Sequence, residues 1–112
     1  MSTDEVIHQS TRLRIMAILH TLDRREALEF TRLKDMVEAT HGNLGAHIET
    51  LARVGYVDVE KLFVERRPQT RVWATTVGRR AFRSHAAWLR AILDEAEPAA
   101  DRPQRRTRRR SS

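Results

Sequence analysis

At 112 residues, with 32% charged and 40% hydrophobic residues, the chain has room for one domain and a modest core. It has no cysteine, which excludes a disulfide framework, a thiolate metal site and a cysteine nucleophile. The net charge is +6, but residues 101–112 alone carry +5, so any nucleic-acid surface on the rest has to be a local patch.

The opening MSTDEVIHQS is acidic and polar and lacks the apolar run of a signal peptide. No stretch approaches the roughly 20 apolar residues of a membrane span. A cytoplasmic protein with no membrane partner is the expectation.

Ser10 is a good N-cap for a first helix, in which Leu13, Met16, Ala17, Leu19 and His20 recur at helical spacing. Ile15, Ile18 and Leu22 widen that stripe, and Val6 and Ile7 either extend the helix or form an N-terminal arm. A polar run over residues 23–29 closes it. Thr31 is a second N-cap candidate, followed by Leu33, Met36 and Val37 on one face of a helix about two turns long. A short strand near Phe30 is a further option. Alone, so short a helix is marginal and depends on packing. Thr40 caps the next helix, where Leu44, Ile48 and Leu51 form an i, i+4, i+7 stripe and Gly55 supplies a left-handed stop.

Beyond Gly55 the period becomes two. Residues 56–60 and 71–74 alternate, and Pro68, within residues 61–70, argues for a loop between two strands. Thr75 or Thr76 caps a last helix with Val77, Ala81, His85, Trp88, Leu89 and Ile92 along one side. Pro98 ends it. The expected fold is mainly α with a small β wing, ordered α-α-α-β-β-α over residues 1–97. Residues 98–112 form an Arg-rich tail with too few apolar groups to fold.

Residues 30–56, FTRLKDMVEATHGNLGAHIETLARVGY, have the form of a helix-turn-helix, which places its second helix in the major groove of DNA. With Thr40 as cap, His41, Gly42 and Asn43 make a first turn whose free N–H groups suit a phosphate. Asn43 and His47 share a face and match base edges, Gly42 permits close backbone approach, and Ala46 faces the groove between them. The plainer reading leaves Asn43 and His47 as ordinary surface polar residues. Gly45 inside the helix costs about 1 kcal/mol relative to alanine. Glu49 repels a phosphate unless it meets a cytosine amino group, and Arg53 is the one Lys or Arg of this helix.

In the wing, Lys61, Arg66, Arg67 and Arg71 oppose Glu65. Arg66 and Arg67, at a tip stiffened by Pro68, suit a narrow minor groove or its phosphates, against the alternative of plain solvated charge. The RRTRRR run of the tail is expected to add salt-sensitive, non-specific affinity, against the alternative of a solvated tail with no dedicated target. Five histidines lie in separate segments without chelate spacing, so neither metal nor cofactor is expected. No catalytic arrangement emerges, so the chain is not expected to be an enzyme. A small-molecule effector is not identified.

The segments LKDMVEATHGNLGAHIETLARVGYV and VEKLFVERRPQTRVWATTVGRRAF resemble winged helix-turn-helix transcriptional regulators of the MarR/ArsR-like kind. The nearest likeness is to the small single-domain winged-helix DNA-binding group. The resemblance runs from about Ile7 to Leu93 and is most specific at residues 42–44, 55–57 and 66–72, and at His47, Leu51 and Gly78. It implies a dimer with paired outer helices and two recognition helices on a pseudo-palindromic duplex. The dimer contacts would then be Val6, Ile7, His85, Trp88, Leu89 and Ile92, against the plainer reading that this apolar stripe is simply core. Double-stranded DNA and a second copy are the expected partners, and repression by operator occlusion the expected mode. Two alternatives stay open: a winged-helix protein-interaction module, and a non-specific nucleic-acid binder acting through the arginine tail.

Overall fold

The computed structural model describes residues 4–23 and 26–96. In chain order these are α1 (Glu5–His8), α2 (Ser10–His20), β1 (Leu28–Glu29), α3 (Phe30–Val37), α4 (His41–Arg53), β2 (Val57–Val64), β3 (Arg67–Ala74) and α5 (Thr76–Ala96). The expected winged helix-turn-helix order is present, with β1 supplying the short strand near Phe30 and α1 as an added turn. Among the described residues, no helix is long and apolar enough to cross a membrane. Pro98, the boundary after residue 97 and the arginine tail lie outside the described residues.

Val6 and Ile7 belong to α1, a separate turn. The Asp4 carboxylate accepts from their backbone N–H groups at 3.0 and 3.1 Å. Gln9, in extended backbone, then breaks the helix, and its Oε1 accepts from Arg12 N at 2.9 Å. Gln9 is therefore the cap of α2, and Ser10, expected as the cap, is the first helical residue. Thr31 likewise falls inside α3. Glu29 precedes that helix with β1 geometry and makes no side-chain cap, so strand pairing of β1 to β3 sets where α3 begins.

The turn of the helix-turn-helix is short. Glu38 ends α3 in the left-handed region at φ 56°, and Ala39 N donates to Lys34 O at 3.1 Å. Thr40 follows as the cap of α4, its hydroxyl accepting from Asn43 N at 3.1 Å. At the far end, Gly55 at φ 83° donates to Ala52 O and Tyr56 N donates to Leu51 O, closing the last carbonyls of α4 in a Schellman arrangement.

β2 and β3 pair without interruption from Val57↔Ala74 to Val64↔Arg67. Only Glu65 and Arg66 form the turn, at φ 51° and 68°, the sign required by a type I′ hairpin. The expected loop over residues 61–70 is thus corrected to two strands. Pro68 is tolerated because it pairs with Phe63 at a non-hydrogen-bonded position, so its missing donor faces away from β2. On the other side, β1 reaches only Val72 and Arg71.

The sheet order is β1-β3-β2. Its inner face contributes Val57, Val72 and Ala74 to a core completed by Ile7, Ile15, Met16 and Leu19, by Leu33 and Val37, and by Leu44, Ile48 and Leu51. α5 starts against Gly55 and Tyr56, the segment that leads from α4 into β2. Thr75, rather than Thr76, caps it, with its hydroxyl accepting from Gly78 N at 3.0 Å and donating to Gly55 O at 2.6 Å. A Cβ on Gly78 would collide with the Tyr56 carbonyl oxygen and lie 2.8–2.9 Å from two further Tyr56 backbone atoms. Arg79, buried, donates to His20 O and Leu22 O at 3.1 Å each and so closes the end of α2.

Candidate nucleic-acid interface

The core stripe of Leu44, Ile48 and Leu51 fixes which way α4 looks. At 3.6 residues per turn the opposite face carries Gly42, Ala46, Glu49 and Arg53, all exposed, with Asn43 beside them. Thr40 and His41 are exposed at its start, the His41 ring lying 4.9 Å from Phe30. Glu49 meets Arg53 at 3.8 Å, an exposed pair of small energetic worth that offsets part of the carboxylate's charge.

His47 sits differently from its expected partner Asn43. It is half-buried and leans toward α2, its Nδ1 3.2 Å from Arg12 Nη1. A guanidinium only donates, so Nδ1 accepts and the neutral ring carries its proton on Nε2. Burial first, and then the Arg12 charge, hold the pKa of His47 below the usual histidine value. Arg12 also donates to Val6 O at 2.6 Å, which anchors it. This cation at the flank of α4 was not foreseen, because 35 residues separate it from His47 and no local pattern links them.

Cross-strand register sorts the wing cations. Lys61 pairs with Thr70 on the same face as Val59 and Val72, and lines a cleft shared with His41, Gly45 and Glu49 of α4. Arg71 is on the reverse face, opposite Glu60 on one side and Glu29 on the other, and donates to Gln69 Oε1 at 3.3 Å. It therefore stands apart from Lys61, among carboxylates. Arg66 and Arg67 are exposed at the hairpin tip. The fold thus brings Thr40, His41, Gly42, Asn43 and Ala46 together on one exposed surface, with Lys61 turned toward that helix.

Of the residues expected at a dimer contact, Ile7 and His85 are fully buried within the subunit. The reason is that α1 packs against both α2 and α5. Ile7 joins the core, and His85 Nδ1 accepts from Asp4 N at 3.2 Å while its ring stacks 5.3 Å from Trp88. Neither has surface to offer a second chain. Val6, Trp88 and Leu89 are half-buried, and Ile92 and Leu93 are 39% and 60% exposed.

Comparison with known proteins gives this geometry its family. Residues 11–93 match the family described as winged helix DNA-binding domain. The chain is 32% identical over 81 residues to an uncharacterized protein of Methanocaldococcus jannaschii, covering 72% of this chain and 85% of that one. Among solved structures, it is similar to a transcriptional regulator homologue from Pyrococcus horikoshii OT3, with a TM-score of 0.76 and 28% identity over 85% of this chain and 91% of that one. It also shares the fold of Sco3205, a MarR-family transcriptional regulator from Streptomyces coelicolor solved in complex with DNA. There the TM-score is 0.62 and the identity 19%, covering 87% of this chain and 65% of that one. With the family matched over most of its length, the chain belongs to the winged-helix DNA-binding domain family.

Proposed function

We propose that the chain is an intracellular, sequence-specific transcriptional regulator that binds duplex DNA as a homodimer and represses by occluding its operator. The observation that supports this most is the exposed α4 face of Gly42, Asn43 and Ala46 beside a hairpin carrying Lys61, Arg66 and Arg67. In this reading α4 enters the major groove, with its first-turn N–H groups near a phosphate and Asn43 on a base edge. The hairpin tip lies on the adjacent backbone or minor groove. Val6, Trp88, Leu89 and Ile92 join two copies, which doubles a sparse set of contacts per subunit. The arginines of residues 98–112 add affinity without sequence choice.

The 112-residue chain is used to select a duplex from a random library, and variants are titrated on that duplex and on a scrambled one. Asn43→Ala should lower the preference between the two duplexes by about 1–3 kcal/mol. Equal losses on both duplexes would remove Asn43 from base reading.

A further inference from the structure

The hairpin tip carries a feature that cationic wing chemistry leaves unexplained. Phe63 is 76% exposed, the highest value among the large exposed hydrophobic residues described. It stands opposite Pro68, also exposed, at a position where strand geometry brings side chains closest. Both lie on the face shared by Lys61 and Val59, which is the face turned toward α4. Arg66 occupies the turn itself and Arg67 the first position of β3. Two apolar rings therefore project from the end of a fully paired ribbon, with arginines at its edge. Glu65, the carboxylate of the turn, is outnumbered by Arg66, Arg67 and Lys61.

We propose that Phe63, backed by Pro68, is an apolar wedge that enters the minor groove of duplex DNA at a flexible pyrimidine–purine step. Arg66 and Arg67 hold the phosphates at the groove's rim. This inference rests on the DNA-binding reading above. A minor groove offers the matching chemistry: negatively charged walls, an apolar lining of sugars, and base steps that open at low cost when they are TA or CA. Pairing up to Val64↔Arg67, and the fixed φ of Pro68, pre-order the tip, so little freedom is lost when it inserts. The wing then selects DNA by deformability at a position that α4 does not touch.

The test uses the full chain and its selected duplex, with 2-aminopurine placed at successive positions of the flank. Wild-type protein should raise 2-aminopurine emission at one step, by unstacking it. Phe63→Ala should abolish that rise and bind about tenfold more weakly, with the salt dependence unchanged. Phe63→Leu, which keeps an apolar wedge, should retain most of both signals and serves as the folded control if the alanine variant misfolds. Arg67→Ala should instead keep the emission change and flatten the salt slope by about one. Wild-type emission and affinity in a folded Phe63→Ala would overturn the wedge and leave the DNA-binding reading intact. So would a lower solution mass of Phe63→Ala than of the wild type without DNA, since Phe63 would then be covered by a second copy. Failure of the wild-type chain to prefer any duplex would overturn both.

Discussion

The same substitution at two helical glycines should have opposite effects. Gly45 lies within α4, and a Cβ there meets nothing within 4 Å, so Gly45→Ala should stabilise the protein by about 1 kcal/mol through helix propensity. Gly78 lies in the first turn of α5, where a Cβ would drive into the Tyr56 backbone. The obstacle is backbone rather than a flexible side chain, so α5 has to move away from the Tyr56 backbone. Overpacking of this kind costs about 1–3 kcal/mol. Displacement also strains two hydrogen bonds that fasten the helix start, Thr75 N to Tyr56 O at 3.0 Å and Thr75 Oγ1 to Gly55 O at 2.6 Å. Each is worth about 1 kcal/mol. Set against a propensity gain of about 1 kcal/mol, Gly78→Ala should lose roughly 2–4 kcal/mol. In a domain of this size that is a fall in Tm of roughly 10–30 °C. Urea unfolding followed by tryptophan fluorescence, at one fixed protein concentration, reads both variants. A Gly78→Ala protein as stable as the parent would refute the close approach of α5 to the Tyr56 backbone.

Tyr56 is the only tyrosine, so an absorbance titration of phenolate reads it directly. Its hydroxyl donates to Asp4 Oδ2 at 2.6 Å, and that bond, followed by burial and the Asp4 charge, pushes its pKa up to about 12. Asp4→Asn should bring the midpoint back toward 10, and the stability tied to this raised pKa should vanish as pH rises from about 10 through 12. The pKa of His85 is lowered, by burial first and then by His8, with Asp4 opposing. The unfolded chain therefore binds more protons below pH about 6.5, and urea midpoints should fall as pH drops from there. His85→Asn keeps an acceptor for Asp4 N and should show a shallower fall over the same range. Glu38 holds a left-handed conformation at the end of α3. Glu38→Gly should raise stability by about 1 kcal/mol, measured by the same unfolding assay.

Elements whose signals are local were legible in the sequence. The Leu44, Ile48, Leu51 stripe, the Thr40 cap and the Gly55 stop each act within a turn or two, and each stands where expected. The wing was only half legible. Its turn is Glu65-Arg66 without the Asn-Gly signature of a type I′ hairpin, and Pro68 is excluded from strands only where its nitrogen must donate. Register, invisible in composition, decided that Arg71 faces Glu29 and Glu60 while Lys61 faces α4. An apolar stripe also looks the same whether it meets its own core or another chain, and the return of α1 over α2 and α5 buried Ile7 and His85. Arg12 beside His47 arises from packing between α2 and α4, which no sequence period encodes.

Sequence-specific recognition by the folded body is best tested with residues 101–112 removed, so that the arginine run cannot supply the affinity. Fluorescence anisotropy of this protein on the selected duplex and on a scrambled duplex, at matched salt near physiological, separates body from tail. Tighter binding to the selected duplex by at least about a hundredfold, on the order expected when specific contacts add to phosphate contacts, is the predicted result. Equal binding to both duplexes, or none to either, would contradict recognition by α4 and the wing.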